Sequence, residues 1–303
     1  MLGSPPAATE SDGPDPYGSP DPAWLGADWR EHLGTVEVMG TRVNYAELGT
    51  GKPIVFVHGL AGCWQNWLEN LPHFAAAGYR AIALDLPGFA GSPIPPWPIS
   101  IPAYANLVDG FCRALEAEQC ALVGNSMGGF ISAEIAIRRP DWLGALVLVS
   151  PAGVMHARMR RGVAEPVAIA AAATAQAAHR LRHASITRMR LRRAAFRGVF
   201  HSPELLRPEL LWEFLQHAME APGFLPAVRG MAGYDFLDRL EQIEIPTFIA
   251  WGRNDHLVFA TDAPVYERLI PGSELQVYDR TGHCAMAERP VRFNRELERF
   301  LNE

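Results

Sequence analysis

Three side chains have the types needed for nucleophilic attack on a carbonyl: Ser126, Asp255 and His283. A serine hydroxyl is a weak nucleophile at neutral pH and needs a base beside it. An imidazole, with an unperturbed pKa of ~6.5, suits that task. A carboxylate suits a third task, holding the imidazole in one tautomer and stabilising the imidazolium. Ser126 lies in Leu122-Val123-Gly124-Asn125-Ser126-Met127-Gly128-Gly129, a G-x-S-x-G spacing followed by one more glycine. A strand that turns at once into a helix must bend tightly, and Gly124 and Gly128 remove the Cβ atoms that would clash across the bend. The serine is pushed out at the tip. The first N–H groups of the helix lack partners within the helix and form a site for negative charge.

The elements around these residues follow from pattern. Cys120–Val123 is a short apolar run of strand type, and Phe130–Ile137 is an apolar run of helical length. Asp255 follows the strand-like Thr247–Trp251, and His283 follows Glu274–Tyr278. Each candidate thus stands after a different strand, where sites form in open sheets of alternating strand and helix. The order Ser, Asp, His fits a nucleophile on a strand-to-helix turn. Taken singly, Asp255 is also a helix cap and His283 a turn histidine, but the three together at the right strand ends outweigh those readings. Asp85, in Asp85-Leu86-Pro87-Gly88, reads as a turn residue bonding local backbone. Asp109, inside a helical pattern, is the weaker rival for the acid.

The remaining chain divides at shifts of composition. Residues 1–33 hold six acids against one arginine and are rich in proline and glycine, so they predict a mostly disordered acidic tail without a secretory signal. Residues 34–153 and 241–303 alternate strand and helix and read as two parts of one core. Thr35–Met39 and Val43–Leu48 predict a hairpin turning at Gly40. Ile54–Val57, Ala81–Leu84 and Ala145–Val149 predict buried strands. Ala103–Leu115, Val265–Ile270 and Val291–Leu301 predict helices, as does the spacing of Trp64, Trp67, Leu68, Leu71 and Phe74. Between them, residues 154–240 read as an inserted helical cap that includes Pro208–Met219. Its first part carries ten arginines between residues 156 and 200 (Arg158, Arg160, Arg161, Arg180, Arg182, Arg188, Arg190, Arg192, Arg193 and Arg197) against Glu165 alone. A solvated helical face is the plain reading of these arginines. Weak contact with anionic surfaces is the sharper one.

Beyond the tail, the formal charge of −6 leaves a body close to neutral, which argues against a nucleic-acid partner. The longest apolar stretch, Val167–Ala178, is too short for a membrane span. Cys63, Cys112, Cys120 and Cys284 show no metal spacing and read as reduced thiols, which predicts the cytoplasm. No metal or organic cofactor is expected, and the oligomeric state is open. The small residues of His58-Gly59-Leu60-Ala61-Gly62 let the chain fold back over a site at the end of a central strand. The Leu60 N–H is there a second donor for an oxyanion, and His58, Gly59 and Asn125 are expected beside the substrate.

The chain resembles the serine α/β-hydrolases that carry a helical cap. His58-Gly59 resembles their oxyanion loop, Asp85 to Ser92 their D-x-P-G-F-x-x-S turn with Ala90 replacing a common glycine, and Gly124 to Gly129 their elbow. Asp255 and Gly282-His283 resemble the acid and base loops. The resemblance spans roughly Gly34 to Leu301. It implies an α/β-hydrolase fold with a mostly parallel eight-stranded sheet, helices on both faces and a cap between strands six and seven. It also implies an oxyanion hole from the N–H groups of Leu60 and Met127. The first expectation is a carboxylesterase or small-acyl lipase acting on a small acyl substrate through an acyl-enzyme. The alternative is a hydrolase of C–C bonds in aromatic ring-cleavage products, whose elbow Gly124–Gly129 resembles. Two departures count against it: no glycine-proline pair stands in His58–Gly62, and Cys284 stands where those enzymes often carry tryptophan. Perhydrolase side activity fits the same residues. A non-catalytic small-molecule binder is the reading of another class.

Overall fold

The sheet opens with a two-residue turn. Met39 and Gly40 both have positive φ (52° and 73°), the geometry that joins tightly paired antiparallel strands. They connect β1 (Leu33–Val38) to β2 (Thr41–Leu48), in register from Leu33–Ala46 to Val38–Thr41. The computed structural model describes residues 4–154, 157, 166, 181–216 and 221–303. Within these, β3 (Lys52–Val57), α1 (Leu71–Ala76), β4 (Tyr79–Leu84), α2 (Ile101–Ala114), β5 (Cys120–Asn125), α3 (Met127–Ile137) and β6 (Leu143–Val149) follow in order. After the insert come β7 (Thr247–Gly252) and β8 (Glu274–Tyr278). The eight strands lie in the order β1-β2-β4-β3-β5-β6-β7-β8, parallel from β4 onward. This is an α/β fold whose strand order reverses between β3 and β5, the place where open sheets leave a crevice.

Burial explains the layering. β5 is buried along its length. Leu122 packs into the core beneath α2 and α3, while Ala121 and Val123 face the opposite core with α1 and the last helix. The expected helix from Trp64 to Phe74 is instead a 3-10 turn, Trp64–Trp67, followed by the separate α1, whose second residue is Pro72. A proline at that position tolerates the start of a helix but not its interior. All five apolar residues of the pattern are nonetheless buried.

Between β6 and β7 the described residues are helical: α4 (Arg182–Thr187), α5 (Met189–Phe196), α6 (Pro208–Gln216) and α7 (Phe224–Met231). Arg188, Arg190, Arg193 and Arg197 are exposed, with Met189 and Leu191 exposed among them. Arg192 turns inward, its Nε donating to the Ile186 carbonyl at 2.6 Å. Arg158, Arg160, Arg161, Arg180 and the Val167–Ala178 stretch lie outside the described residues. No helix among the described residues is long and apolar enough to cross a membrane. All four cysteines are free and buried. The core closes with α8 (Ala263–Leu269), α9 (Ala285–Glu288) and α10 (Pro290–Asn302).

The N-terminal segment departs from the expected disorder. From Ser4 it runs as an extended strap along β8 and α10. Thr9 N donates to the Val277 carbonyl at 2.8 Å, and Val277 N donates to Thr9 Oγ1 at 2.9 Å. Arg289 and Arg292 face Asp15, and Arg295 pairs with Asp12 at 3.0 Å. Arg207 Nη2 donates to the Pro20 carbonyl at 2.6 Å. Two facts explain the ordering. The tail acids meet Arg289 at the N-cap of α10 and Arg292 and Arg295 on one face of that helix, and a proline-rich chain has less conformational freedom to lose.

Candidate active site

The elbow is built from backbone constraints. Ser126 adopts φ 55° and ψ −116°, a region that costs on the order of 1–3 kcal/mol and persists only where neighbours enforce it. Here its N–H donates to the Val149 carbonyl at 3.0 Å, and its carbonyl accepts from Phe130 N at 3.0 Å and Ala152 N at 2.9 Å. A Cβ on Gly124 would stand 2.3 Å from the Gly128 carbonyl oxygen, and one on Gly128 would stand 2.2 Å from that of Val57. Both glycines are therefore required. Gly124 pairs with Val57, so the ends of β3 and β5 emerge side by side. The loop after β3 then packs on the serine: a Cβ on Gly59 would lie 2.9 Å from Ser126 Cβ. Ser126 and Leu60 are half-buried, and Met127 is the first residue of α3, with its N–H at the positive end of that helix.

Asp255 and His283 are brought together from the ends of β7 and β8. His283 Nδ1 donates to Asp255 Oδ2 at 2.7 Å, and both side chains are buried. Asp255 Oδ1 accepts from Leu257 N at 2.8 Å and Val258 N at 3.0 Å, which fixes the carboxylate plane. Asn254 N donates to the Thr281 carbonyl at 2.9 Å and joins the two loops. His283 is tied by its own backbone too, its N–H donating to the Val199 carbonyl of the insert at 2.7 Å.

Asn125 and His58 both spend their side-chain nitrogens on bonds within the protein. Asn125 is buried, and its Nδ2 donates to the carbonyls of Val149 at 3.1 Å and His283 at 3.3 Å. It links the elbow to the histidine loop. His58 is fully buried, with Nδ1 donating to the Gly59 carbonyl at 2.7 Å and Nε2 accepting from Leu86 N at 2.9 Å. Both ring nitrogens are engaged, and burial pushes its pKa down to about 4, so it stays neutral and braces the loop from behind. Asp85 bonds its own turn through Gly91 N at 3.0 Å but also joins remote segments, accepting from Trp64 N at 2.8 Å and Asn44 Nδ2 at 2.7 Å. Asp109 accepts from Trp142 Nε1 at 2.6 Å and pairs with Arg113, away from His283. Burial pushes the Cys284 thiol well above its usual range, so it is an inert neighbour of His283.

One buried residue had no clear signal in the sequence. Glu288 is fully buried, and its Oε1 accepts from Gly282 N at 2.8 Å, one residue before His283. Its only mark was an acid closing the apolar run Cys284–Ala287. Among the described residues, no cluster of three His, Cys, Asp or Glu side chains is placed to hold a metal ion.

The alpha/beta hydrolase fold family matches residues 52–290, and the chain belongs to that family. In sequence it is 29% identical over 278 residues to a 2-hydroxy-6-oxo-6-phenylhexa-2,4-dienoate hydrolase of Comamonas testosteroni, covering 86% of this chain and 91% of the relative. It is 27% identical over 277 residues to a 2-hydroxy-6-oxononadienedioate/2-hydroxy-6-oxononatrienedioate hydrolase of the same species, again covering 86% and 91%. In structure it matches a thermophilic esterase from Thermogutta terrifontis with a TM-score of 0.72 at 24% identity, over 89% of this chain and 98% of that one. That last likeness concerns the fold. Family and named relatives together support hydrolysis as the chemistry.

Proposed function

We propose that the chain is a serine-dependent hydrolase that cleaves the C–C bond beside a ketone in ring-opened hydroxy-oxo-dienoates. The observation that carries this choice over an ester is the likeness to two dienoate hydrolases that each span 86% of the chain. It displaces the first expectation from sequence, ester cleavage, to second place. The ester reading keeps support from Cys284 after the base and from the absence of a glycine-proline pair in His58–Gly62.

The chemistry proceeds in two steps. Asp255 holds the His283 proton on Nδ1, leaving Nε2 to take the proton of Ser126 as its oxygen attacks the ketone carbon. The N–H groups of Leu60 and Met127 hold the oxyanion; one such donor is worth about 3–4 kcal/mol in the transition state. The C–C bond breaks, its electron pair passes to the dienoate carbon, and that carbon takes the proton from His283. Water then enters with the same histidine as base and frees the acid from Ser126. The free thiols support a reducing compartment such as the cytosol.

The test is turnover of 2-hydroxy-6-oxo-6-phenylhexa-2,4-dienoate, followed by loss of its absorbance, beside p-nitrophenyl esters from acetate to palmitate. Dienoate loss that vanishes in Ser126→Ala supports the proposal. Ester turnover alone selects the second reading. No turnover of either, with no labelling by a fluorophosphonate, leaves a binder on this fold.

A further inference from the structure

Glu288 is a buried carboxylate to which the mechanism above gives no task. Its surroundings come from three remote parts of the chain. Oε1 accepts from Gly282 N in the histidine loop at 2.8 Å, and Oε2 accepts from His201 N in the insert at 2.8 Å. Oε2 also accepts from the Tyr17 hydroxyl of the N-terminal strap. The Tyr17 oxygen in turn accepts from Ser202 N at 2.8 Å, and Gly18 N donates to the Glu288 carbonyl at 2.8 Å. The junction has little slack: a Cβ on Gly282 would stand 2.7 Å from the Val199 carbonyl oxygen and 2.8 Å from His201 N. Val199 is also the residue that accepts from His283 N.

We infer that Tyr17 and Glu288 are positioning residues for His283: the strap's phenol holds the Glu288 carboxylate, and that carboxylate holds the backbone that carries the base. The inference rests on His283 acting as the base of Ser126. Buried charged groups are costly to desolvate, and well-packed apolar residues of similar volume often replace them with no loss of stability. What the Glu288 carboxylate supplies is two acceptor oxygens for backbone N–H groups of different segments, and those segments end at His283 and at the insert.

The arrangement has a signature in pH. Burial raises the Glu288 pKa to about 7, against the hydrogen bonds from Tyr17, His201, Gly282 and Cys284 that favour the charged form. The other titratable groups around it are the His201 imidazole from the insert, the Cys284 thiol and the Arg289 guanidinium, which lies 4.9 Å from the Tyr17 ring centre. The Asp255–His283 pair lies beyond Cys284. When Glu288 is protonated, one oxygen becomes a donor and releases one of the two backbone N–H groups it held.

Tyr17→Phe removes the phenol oxygen and leaves the ring against Arg289. Losing one hydrogen bond to a charged group raises the proton affinity of Glu288 about tenfold. Starting from about 7, that lowers its ionised fraction roughly eightfold at about pH 6.5 and hardly at about pH 9. The readout is the rate at which a fluorophosphonate labels Ser126, followed by intact mass, because it reports the base without needing the substrate. The rate of Tyr17→Phe is expected about eightfold below wild type at about pH 6.5 and within about twofold at about pH 9. Glu288→Gln, which keeps one acceptor oxygen, is expected to be slow at both. A Tyr17→Phe profile superimposed on wild type, or a loss equal at every pH, overturns the inference. Failure of the underlying mechanism is read separately, as labelling that survives in His283→Ala or Ser126→Ala.

Discussion

Replacing Asp255 by asparagine should trap His283 in the wrong tautomer, and the structure says why the trap holds. The Oδ1 position faces two backbone donors, Leu257 N at 2.8 Å and Val258 N at 3.0 Å. The amide oxygen of Asn must take that place, which turns its NH2 group toward His283 Nδ1, now 2.7 Å from Oδ2. Nδ1 then accepts a hydrogen bond, the ring proton moves to Nε2, and the nitrogen that the proposed mechanism uses as base is lost. Escape by flipping the amide would set NH2 against the part-buried Leu257 N–H and the buried Val258 N–H, at about 1–3 kcal/mol for the buried one left unsatisfied. Together with the lost stabilisation of the imidazolium, the expected fall in rate is about 10³–10⁴-fold, or roughly 4–5.5 kcal/mol in the barrier. The assay is fluorophosphonate labelling of Ser126 beside turnover of the best substrate, with thermal unfolding to check the fold. Both backbone bonds survive the change, so the unfolding midpoint should move little. A rate within about tenfold of wild type would refute the reasoning. Asp109→Asn, whose carboxylate bonds Trp142 and Arg113, should leave the rate within about twofold.

Glu69 offers a test of stability against pH. It is buried, and burial raises its pKa from 4.5 to about 7. The folded state therefore holds this proton more tightly than the unfolded state does. The stability this contributes is full below the unfolded value and is lost as pH rises through the folded one. Glu69→Gln mimics the protonated form, so its advantage over wild type should be near zero at about pH 4 and grow to as much as about 3 kcal/mol by about pH 8. A difference in unfolding midpoint that does not grow with pH would contradict the assignment. The exposed Arg188, Arg190, Arg193 and Arg197, with Met189 and Leu191 among them, lead to a second expectation. Co-sedimentation with phosphatidylserine vesicles at low salt should exceed that with phosphatidylcholine vesicles and vanish at about 0.5 M salt, since contacts of this kind are screened. Equal sedimentation with both would leave these arginines as a solvated face.

The parts of this molecule that were legible in the sequence are those set by local rules. Gly124 and Gly128 flank Ser126 because no Cβ fits across the bend, and that demand is visible as spacing. The central strands β3 to β7 show as apolar runs because both faces of the sheet are covered there. The parts that were not legible depend on encounters between remote segments. His58 reads in the sequence as a substrate neighbour because it opens the His58–Gly62 loop at the end of a central strand. Only the fold shows Leu86 N donating to its ring from the end of another strand. Asn125 similarly turns to the His283 carbonyl, 158 residues away. The acidic tail read as disordered because its composition lacks large apolar residues. Its partners, Arg289, Arg292 and Arg295, lie at the other end of the chain, and no local pattern joins them.

The contact of Thr9 with Val277 has a consequence for how copies of this protein behave toward one another. β8 is the last strand of the sheet, bonded to β7 on one side only. An open strand edge is a template on which another chain can build, and natural sheets guard against it. Here both backbone groups of Val277 are engaged by Thr9, and Pro5 and Pro6 just before it have no N–H to continue a ladder. The strap thus ends the sheet as well as bracing the histidine loop. A chain trimmed at its N-terminus would carry a bare parallel edge, and self-association that rises with concentration is the physical outcome of leaving that edge unguarded.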